Sequence, residues 1–273
     1  MRFVRIGAIA LFLLSLVTYL ISDYIYDKNH DLIPPVITCD EKTITLSSSA
    51  TYEDYVRGLT ASDNRDGDLT GQILISSKSH FLEDGSFKVK YVVFDSNNNS
   101  SSITRNVILS DYRSPEFKLS QPLCYSLGES ARFINQIKAD DCIDGDISGK
   151  IRIVYSNVSN YREGVYPVKL EVTNSLGDKQ AVELSVCVFD SDSFCAVELS
   201  EYITYIDAGD SFNPMELVTD CENKDGADID YSKILINGLL DTQTPGCYQL
   251  CYTIDGMPNA KTYLTVVVRE VGE

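Results

Sequence analysis

An acidic motif that occurs three times along the chain is the residue pattern best suited to binding a metal ion. Each copy places acidic residues around a glycine, at Gly67, Gly145 and Gly226. The first two copies supply six carboxylates, from Asp63, Asp66, Asp68, Asp141, Asp144 and Asp146. Because hard cations prefer oxygen ligands, these six residues are candidate calcium ligands. Their spacing differs from the EF-hand loop, since one ligand position is missing before the glycine and no glutamate follows at the required distance.

The same motif also has a purely structural interpretation, which we prefer. Asp and Asn side chains accept hydrogen bonds from their own backbone in turns, and a glycine such as Gly67 or Gly145 readily adopts a positive φ. The motif would then form a tight loop before the next strand. Only the calcium interpretation predicts that the ion binds and raises the melting temperature.

Eight cysteines form the second set of reactive side chains: Cys39, Cys124, Cys142, Cys187, Cys195, Cys221, Cys247 and Cys251. The sequence contains no Cys-x-x-Cys pair and only two histidines. Zinc ligation and thioredoxin-like chemistry are therefore disfavoured. An oxidising location outside the cytoplasm explains this number of cysteines better than a reducing one.

The expected strand order suggests one disulfide. Cys124 falls on an early strand and Cys187 on the last strand of the same unit, and such strands neighbour each other in a β-sandwich. We therefore predict a Cys124–Cys187 bond. Cys39 and Cys142 are left over, either as free thiols or as crosslinks to another chain. A rival account leaves every cysteine free and buried.

Two further disulfides are expected among the last four cysteines. Cys247 and Cys251 lie four residues apart on one strand, a separation of about 13 Å. That distance is too long for a mutual bond. Two pairings remain open: Cys195–Cys247 with Cys221–Cys251, or Cys195–Cys251 with Cys221–Cys247.

Charge and motif content exclude several functions. The chain of 273 residues has 40 acidic and 23 basic side chains, a formal net charge of −17. A surface this negative repels phosphate backbones, so we predict no nucleic-acid partner. The sequence shows no supported Ser/His/Asp arrangement, no glycine-rich phosphate loop and no His-x-x-x-His. We therefore predict a protein that is not an enzyme and needs no cofactor, calcium apart.

The N-terminus has the features of a signal anchor. Arg2 and Arg5 precede an uncharged apolar run over 6–21. The preferred interpretation is an uncleaved transmembrane helix within residues 1–26, and the alternative is a cleaved signal peptide. The two arginines predict a cytoplasmic N-terminus and an extracellular remainder. Residues 27–34 are a polar spacer that ends at Pro34 and Pro35.

From Pro35 onward the chain shows short alternating runs of β-forming residues separated by Asp, Asn, Gly and Ser clusters. The acidic motif recurs with a period of about 80 residues, which suits a small all-β domain rather than a solenoid repeat. The fold class is therefore all-β: three tandem Ig-like β-sandwich domains after one N-terminal transmembrane helix. The predicted domain boundaries are 35–113, 114–192 and 193–273.

The order of these elements resembles the bacterial surface Ig-like repeat family. The order is Pro-Val-Ile, then Asp-x-x-Asp-Gly-Asp, then Gly-x-[Phe/Tyr], then Asp-x-x-x-Asn, and the resemblance covers about 35–268. This family, a domain of unknown function, also occurs in an insecticidal crystal protein. The third unit departs from the pattern through inserted residues around Gly226. The resemblance implies an extracellular β-sandwich module used in tandem and brings no catalytic residues.

The combined prediction is a membrane-anchored bacterial surface protein. Its Ig-like domains would bind or space an extracellular protein or glycan, as an adhesin or as part of an envelope complex. The alternative is an enzyme, or an enzyme accessory, that acts on extracellular glycans with loop carboxylates as acid and base. A concave pocket that holds two carboxylates would distinguish the alternative from a flat binding module.

Overall fold

A computed structural model describes residues 2–29, 31–190 and 192–270. The chain begins with an α-helix, α1 (Arg2–Asn29), followed by twenty β-strands. A five-residue helix, α2 (Tyr52–Val56), and five short 3₁₀ helices lie between strands. The 3₁₀ helices span Thr70–Gln72, Phe133–Gln136, Ser148–Lys150, Pro214–Leu217 and Tyr231–Lys233. The all-β fold class with one N-terminal apolar helix is thus confirmed.

Helix α1 is long and apolar enough to cross a membrane. Its segment Arg5–Tyr26 has 22 residues, a mean hydropathy of 2.0 and no buried residues. At about 1.5 Å per residue it is about 33 Å long, close to the roughly 30 Å hydrocarbon thickness of a bilayer. The helix continues to Asn29, so the first residues of the predicted spacer are helical. His30, also in that spacer, lies outside the described residues.

The sheets after the helix form three consecutive pairs, which we call modules one, two and three within the predicted boundaries. Module one contains β1 (Val36–Cys39), β2 (Thr43–Leu46), β3 (Leu59–Asp63), β4 (Gly67–Asp68), β5 (Leu74–Lys78), β6 (Phe87–Phe94) and β7 (Ser100–Leu109). One sheet has the order β1-β3-β4 and the other β2-β7-β6-β5. Strand β2 pairs in parallel with β7, which places an early strand beside the last strand.

Module two repeats this arrangement. Its strands are β8 (Glu116–Lys118), β9 (Cys124–Ser126), β10 (Lys138–Asp141), β11 (Gly145–Asp146), β12 (Arg152–Ser156), β13 (Gly164–Thr173) and β14 (Lys179–Phe189). The sheet orders are β11-β10-β8 and β12-β13-β14-β9. Strands β9 and β14 are again a parallel pair.

Module three has six strands and a smaller first sheet. They are β15 (Val197–Leu199), β16 (Ile203–Asp207), β17 (Val218–Cys221), β18 (Ile234–Asn237), β19 (Gly246–Ile254) and β20 (Met257–Arg269). The sheet orders are β15-β17 and β16-β20-β19-β18. Between Cys221 and Asp228, where the inserted residues lie, only an isolated bridge pairs Glu222 with Asp228.

Alternation of apolar and polar residues determines which strand faces form the core. In β6, Phe87, Val89, Tyr91 and Val93 are fully buried, whereas the lysines between them are exposed. This period of two is the signature of a sheet with one face packed inward. The contacts divide the chain into two compact units, Met1–Ser110 and Asp111–Glu273. The second unit therefore includes modules two and three, whose buried apolar residues form one continuous core.

Candidate functional site

The first two copies of the acidic motif fold as the same tight turn. The Oδ1 atom of Asp63 accepts hydrogen bonds from the backbone N–H groups of Arg65 at 2.8 Å and Asp66 at 3.0 Å. Gly67 follows with a φ of 74°. In module two, Asp141 accepts the corresponding bonds at 2.9 and 2.8 Å, and the φ of Gly145 is 70°. This is the geometry that the structural interpretation of the motif predicts.

Hydrogen bonds in the module-one turn lower the pKa of two of its aspartates, Asp63 and Asp68. The backbone N–H groups of Asp66 and Arg65 lower the pKa of Asp63. Hydrogen bonds from the hydroxyl and then the backbone N–H of Thr70 lower the pKa of Asp68. A carboxylate that accepts such bonds only in the folded state stabilises the fold through its charged form.

The turns are therefore expected to be sensitive to acid. The stabilisation is complete above the unfolded-state pKa of about 3.9, and it is lost as the pH falls through the lower folded-state pKa. Asp63→Asn keeps an oxygen acceptor but cannot titrate, so we expect it to reduce the fall in melting temperature between about pH 5 and pH 2. Thermal melts across this range measure the effect. If the melting temperature of Asp63→Asn fell as much as that of the parent over this range, Asp63 would not be a source of the acid sensitivity.

The other motif aspartates attach the turn to a second loop. The carboxylate of Asp66 accepts hydrogen bonds from the N–H of Ser96 at 2.6 Å and its hydroxyl at 2.9 Å. Asp144 does the same for Ser175, at 2.8 and 2.6 Å, and also binds Lys150 Nζ at 2.8 Å. Neither predicted set of three calcium ligands, that of Asp63, Asp66 and Asp68 or that of Asp141, Asp144 and Asp146, is among the carboxylate clusters of the described residues. Among the described residues, only Asp63 of the six belongs to a carboxylate cluster able to hold an ion.

That cluster lies in module one and joins Asp63 to two aspartates that the sequence analysis did not select. Carboxylate oxygens of Asp31, Asp63 and Asp95 all lie within 4.8 Å of one another. Asp31 and Asp95 are only 5% and 6% exposed. The Oδ2 atom of Asp63 is buried and has no hydrogen-bond partner. We call Asp31, Asp63 and Asp95 the carboxylate cluster.

Neighbouring donors satisfy part of the charge in the carboxylate cluster. Asp31 accepts hydrogen bonds from the N–H of Ile33 at 2.9 Å and from Asn64 Nδ2 at 3.3 Å, and Arg65 Nε lies 3.6 Å from its Oδ2. Asp95 accepts three bonds from the turn that follows it, two of them from Asn99. One nearby guanidinium among three carboxylates leaves a local excess of negative charge, which is the electrostatic condition for cation binding.

Module two has an amide at the place where module one has the carboxylate of Asp95. There the Oδ2 atom of Asp141 accepts a hydrogen bond at 3.0 Å from Asn174 Nδ2. Asn174 occupies the position of Asp95, since each accepts the backbone N–H groups two and four residues later. The Asn174 amide also donates to the Tyr112 hydroxyl at 2.8 Å, and that hydroxyl donates to Asp178 Oδ2 at 2.6 Å. An uncharged amide thus satisfies in module two the oxygen that lacks a partner in module one.

An exchange in the sequence marks this difference. The turn before the last strand reads Asp95-x-x-x-Asn99 in module one and Asn174-x-x-x-Asp178 in module two. A comparison of the two turns in the sequence could therefore have identified Asp95 as a residue that distinguishes module one from module two. Asp31 had no comparable signal, because it precedes the first strand and joins the cluster only through folding. Calcium binding stays a prediction, with the carboxylate cluster as its most favourable place.

The looser third motif departs as its inserted residues suggested. Asn223 takes the role of the turn aspartate, and its Oδ1 accepts bonds from the N–H groups of Asp225 and Ala227, both at 2.9 Å. Asp220, Glu222 and Asp228 also bring carboxylate oxygens within 4.8 Å of one another. Repulsion from the Asp220 carboxylate raises the pKa of Glu222. Glu222 and Asp228 are exposed, so their carboxylates are accessible to solvent.

No two of the eight cysteines, all of them described residues, are joined in the structure, so none of the predicted disulfides is formed. Cys124 and Cys187 do lie opposite each other on the parallel strands β9 and β14, which is the predicted neighbourhood. The expectation for Cys195 differs from the structure. Its Sγ lies 2.6 Å from Cys124 Sγ, so it approaches a thiol of module two. Both pairings proposed for Cys195 within module three assumed a separate module, whereas packing against module two brings Cys124 closer.

The remaining thiols have varied surroundings. Cys39 donates to the carbonyl of Glu41 at 3.2 Å and Cys142 to that of Arg113 at 3.1 Å. Cys221 is buried in the first sheet of module three, while Cys247 is exposed beside the carbonyl of Glu183. Hydrogen bonding to Cys187 and Cys195, together with burial, raises the pKa of Cys124. At neutral pH these surroundings keep Cys124 in its thiol form.

Two family models match this chain. Residues 38–109 match "Bacterial surface protein, Ig-like domain", and residues 204–268 match "Bacterial Ig-like domain (group 3)". The resemblance to bacterial surface Ig-like repeats is therefore confirmed for module one, and an Ig-like domain is confirmed in module three. Module two lies between the two matches, so the count of three stays a prediction supported by the paired sheets.

Two known proteins are similar in sequence over part of the chain. The pesticidal crystal protein Cry22Aa of Bacillus thuringiensis is 30% identical over 121 residues, which is 43% of this chain and 16% of that protein. An uncharacterized 81.3 kDa protein of Acholeplasma phage L2 is 26% identical over 172 residues, 59% of this chain and 23% of that protein. The chain thus spans less than a quarter of either relative.

Solved structures resemble the chain only distantly. A structure of CBM51-2 and INT domains from Clostridium perfringens ZmpB, in complex with GlcNAc, is 17% identical and has a TM-score of 0.23. The match covers 54% of this chain and 26% of the ZmpB chain. Mouse cadherin-23 EC22-24 is 13% identical and has a TM-score of 0.20. The match covers 87% of this chain and 99% of the cadherin chain. Similarity at this level carries no argument about function.

Proposed function

We propose that this protein is a single-pass membrane protein whose Ig-like modules bind or space a partner outside the cell. One observation carries the proposal: an apolar helix with no buried residues directly precedes β-sandwich modules, one of which matches bacterial surface Ig-like domains. Bacterial Ig-like surface domains serve as extracellular modules. A helix with every apolar face exposed requires a nonpolar surrounding, which a bilayer provides.

The orientation follows from charge. Arg2 and Arg5 flank the apolar segment on its N-terminal side, and basic residues favour the cytoplasmic side of a membrane. The modules would then lie outside, where their negative charge keeps neighbouring copies apart. The partner is an extracellular protein or glycan that the modules contact through their faces or loops. An acidic surface favours a partner with basic groups.

We infer that the modules are not catalytic. A groove in the second unit is lined by two carboxylates, those of Glu116 and Glu201, as the glycan-enzyme alternative requires. The Glu116 carboxylate, however, accepts a bond from Arg269 Nη1 at 2.6 Å. This contact occupies one of the two carboxylates, which an acid and base pair would need free to meet a substrate. Incubation of the purified protein with cell-wall glycans, followed by mass spectrometry, would reveal products if the alternative were correct.

The anchor is testable by charge insertion. Leu14→Arg with Val17→Arg places two charges near the helix centre, where each opposes insertion by about 2.5–3.5 kcal/mol. We expect this variant to move from the membrane fraction to a soluble fraction. The apolar control, Leu14→Ile with Val17→Leu, should stay in the membrane, and protease added to intact cells should digest its modules. Equal distribution of both variants between the fractions, or protection of the modules in intact cells, would refute the proposal.

A further inference from the structure

Modules two and three meet through specific polar contacts in addition to their shared core. The Tyr205 hydroxyl of module three accepts a hydrogen bond from the Phe117 N–H of module two at 2.6 Å. Ser185 Oγ donates to Gln249 Oε1 at 2.7 Å across the same boundary. The Tyr202 N–H of module three donates to a backbone carbonyl of module two, that of Leu119, at 2.8 Å. These contacts fix how β16 and β19 of module three lie against module two.

Three thiols converge at this boundary. Cys124 on β9 neighbours Cys187 on β14, and Cys195 approaches from the segment that opens module three. Cys124 and Cys195 are 71 residues apart in sequence, yet their Sγ atoms are 2.6 Å apart. A disulfide bond has an S–S length of about 2.05 Å, so a movement of about 0.6 Å would bring the two atoms to bonding distance.

Exposure separates the two thiols that could pair with Cys124. Cys187 is 1% exposed, whereas Cys124 and Cys195 are partly exposed. Thiol–disulfide exchange requires that the oxidant reach a sulfur atom, and access governs which thiols react. Exposure therefore favours the Cys124–Cys195 pair, whose sulfur atoms are already 2.6 Å apart.

We propose that Cys124 and Cys195 form a disulfide that covalently joins modules two and three, with Cys187 remaining a buried thiol. The proposal replaces the Cys124–Cys187 bond expected from strand order. In the cell it rests on the extracytoplasmic location of the proposed function, because disulfides persist in oxidising compartments.

The chemistry is an exchange with a disulfide-bearing oxidant, such as an extracytoplasmic thiol oxidase or oxidised glutathione. One of the two thiolates attacks the oxidant's disulfide and forms a mixed disulfide, releasing one thiolate of the oxidant. The thiol of the other cysteine then gives its proton to the released thiolate, attacks the mixed disulfide and releases the oxidant's other sulfur as a thiolate, which takes up a proton. The protein loses two protons and two electrons, and the oxidant's disulfide is reduced to two thiols.

The bond is expected to stabilise the second unit. A crosslink between residues this far apart restricts the unfolded chain strongly. For a unit of this size we expect the melting temperature of the oxidised protein to exceed that of the reduced protein by about 5–15 °C. Modules two and three would then move as one body, which makes the second unit of the proposed spacer stiff.

The test uses the full chain, purified in detergent and oxidised with oxidised glutathione. Free thiols are then alkylated, and the protein is digested without reductant and mapped by mass spectrometry. We expect one peptide pair linking Cys124 to Cys195 and an alkylated Cys187. A link between Cys187 and either of the others, or alkylation of all three, would overturn the proposal.

Matched variants and reduction provide the second measurement. Cys187→Ser should keep both the linked peptide and the gain in melting temperature on oxidation, whereas Cys195→Ser should lose both. If a variant fails to fold, the melting temperatures of the oxidised parent with and without dithiothreitol still test whether a disulfide stabilises the protein. Equal values with the linked peptide absent would overturn the proposal. Glutathione oxidation in vitro is independent of location, so failure of the fractionation experiment would refute the proposed surface role and leave this result standing.

Discussion

Calcium is expected to raise the free energy of unfolding of the first unit by about 2–3 kcal/mol when its concentration reaches about one hundred times the dissociation constant. The expected site is the carboxylate cluster of Asp31, Asp63 and Asp95, whose oxygens lie within 4.8 Å of one another. A divalent cation would neutralise the repulsion between the three carboxylates and would give the partnerless Oδ2 of Asp63 a ligand bond. Thermal melts of the full chain in EDTA and in calcium measure the effect.

Two variants in module one distinguish the carboxylate cluster from the ligand set predicted from the motif. Asp95→Asn introduces the amide that module two already uses at Asn174, and we expect it to abolish the response to calcium. Asp68→Asn is the matched control, because Asp68 bonds Thr70 and lies outside the cluster. It should retain the response. Loss of the response in Asp68→Asn alone would favour the ligand set predicted from the motif, and no response in the parent would refute calcium binding.

Truncation of Tyr91 is expected to lower the free energy of unfolding of the first unit by about 3–5 kcal/mol. The ring is fully buried in β6, and its hydroxyl donates a hydrogen bond to the backbone carbonyl of Tyr55 at 2.8 Å. Tyr91→Ala removes a large apolar group and leaves a cavity as well as an unpaired carbonyl. Burial also raises the pKa of Tyr91 to about 12, so the hydroxyl remains a donor throughout the neutral range.

Tyr91→Phe separates the two contributions. It keeps the ring and removes only the hydroxyl, so we expect a loss of about 1–2 kcal/mol. Tyr252 holds the corresponding place in module three and donates to the carbonyl of Pro214 at 2.8 Å, while module two has Leu170 there. Denaturant unfolding of the parent protein, Tyr91→Phe and Tyr91→Ala measures the two losses. Equal losses for Tyr91→Phe and Tyr91→Ala would show that ring packing contributes nothing, contrary to its burial.

Features encoded over short distances were predictable from the sequence. The alternation from Phe87 to Val93 predicted a strand with one buried face, because successive side chains of a strand point to opposite sides. The Asp-Gly spacing predicted a tight turn, since an aspartate bonds backbone groups only two and three residues later and Gly67 accepts a positive φ. The uncharged N-terminal run likewise predicted the apolar helix.

The carboxylate cluster consists of residues that are far apart in the chain. Asp31, Asp63 and Asp95 lie in three separate segments, and only the closure of the sandwich brings their carboxylates together. The motif led instead to Asp66 and Asp144, whose carboxylates bind the loops of Ser96 and Ser175. Sequence spacing specifies local hydrogen bonds but not which loops share one end of a sandwich.

The acidic motif and the cysteines show the same division. Local residue patterns are enough to specify an all-β chain with a repeated turn, an apolar N-terminal helix and a thiol content suited to an oxidising compartment. The approach of Cys195 to Cys124, rather than to a thiol of its own module, depends on tertiary packing. Modules two and three bury one continuous core, and the packing between two modules is not encoded in the periodicity of either one.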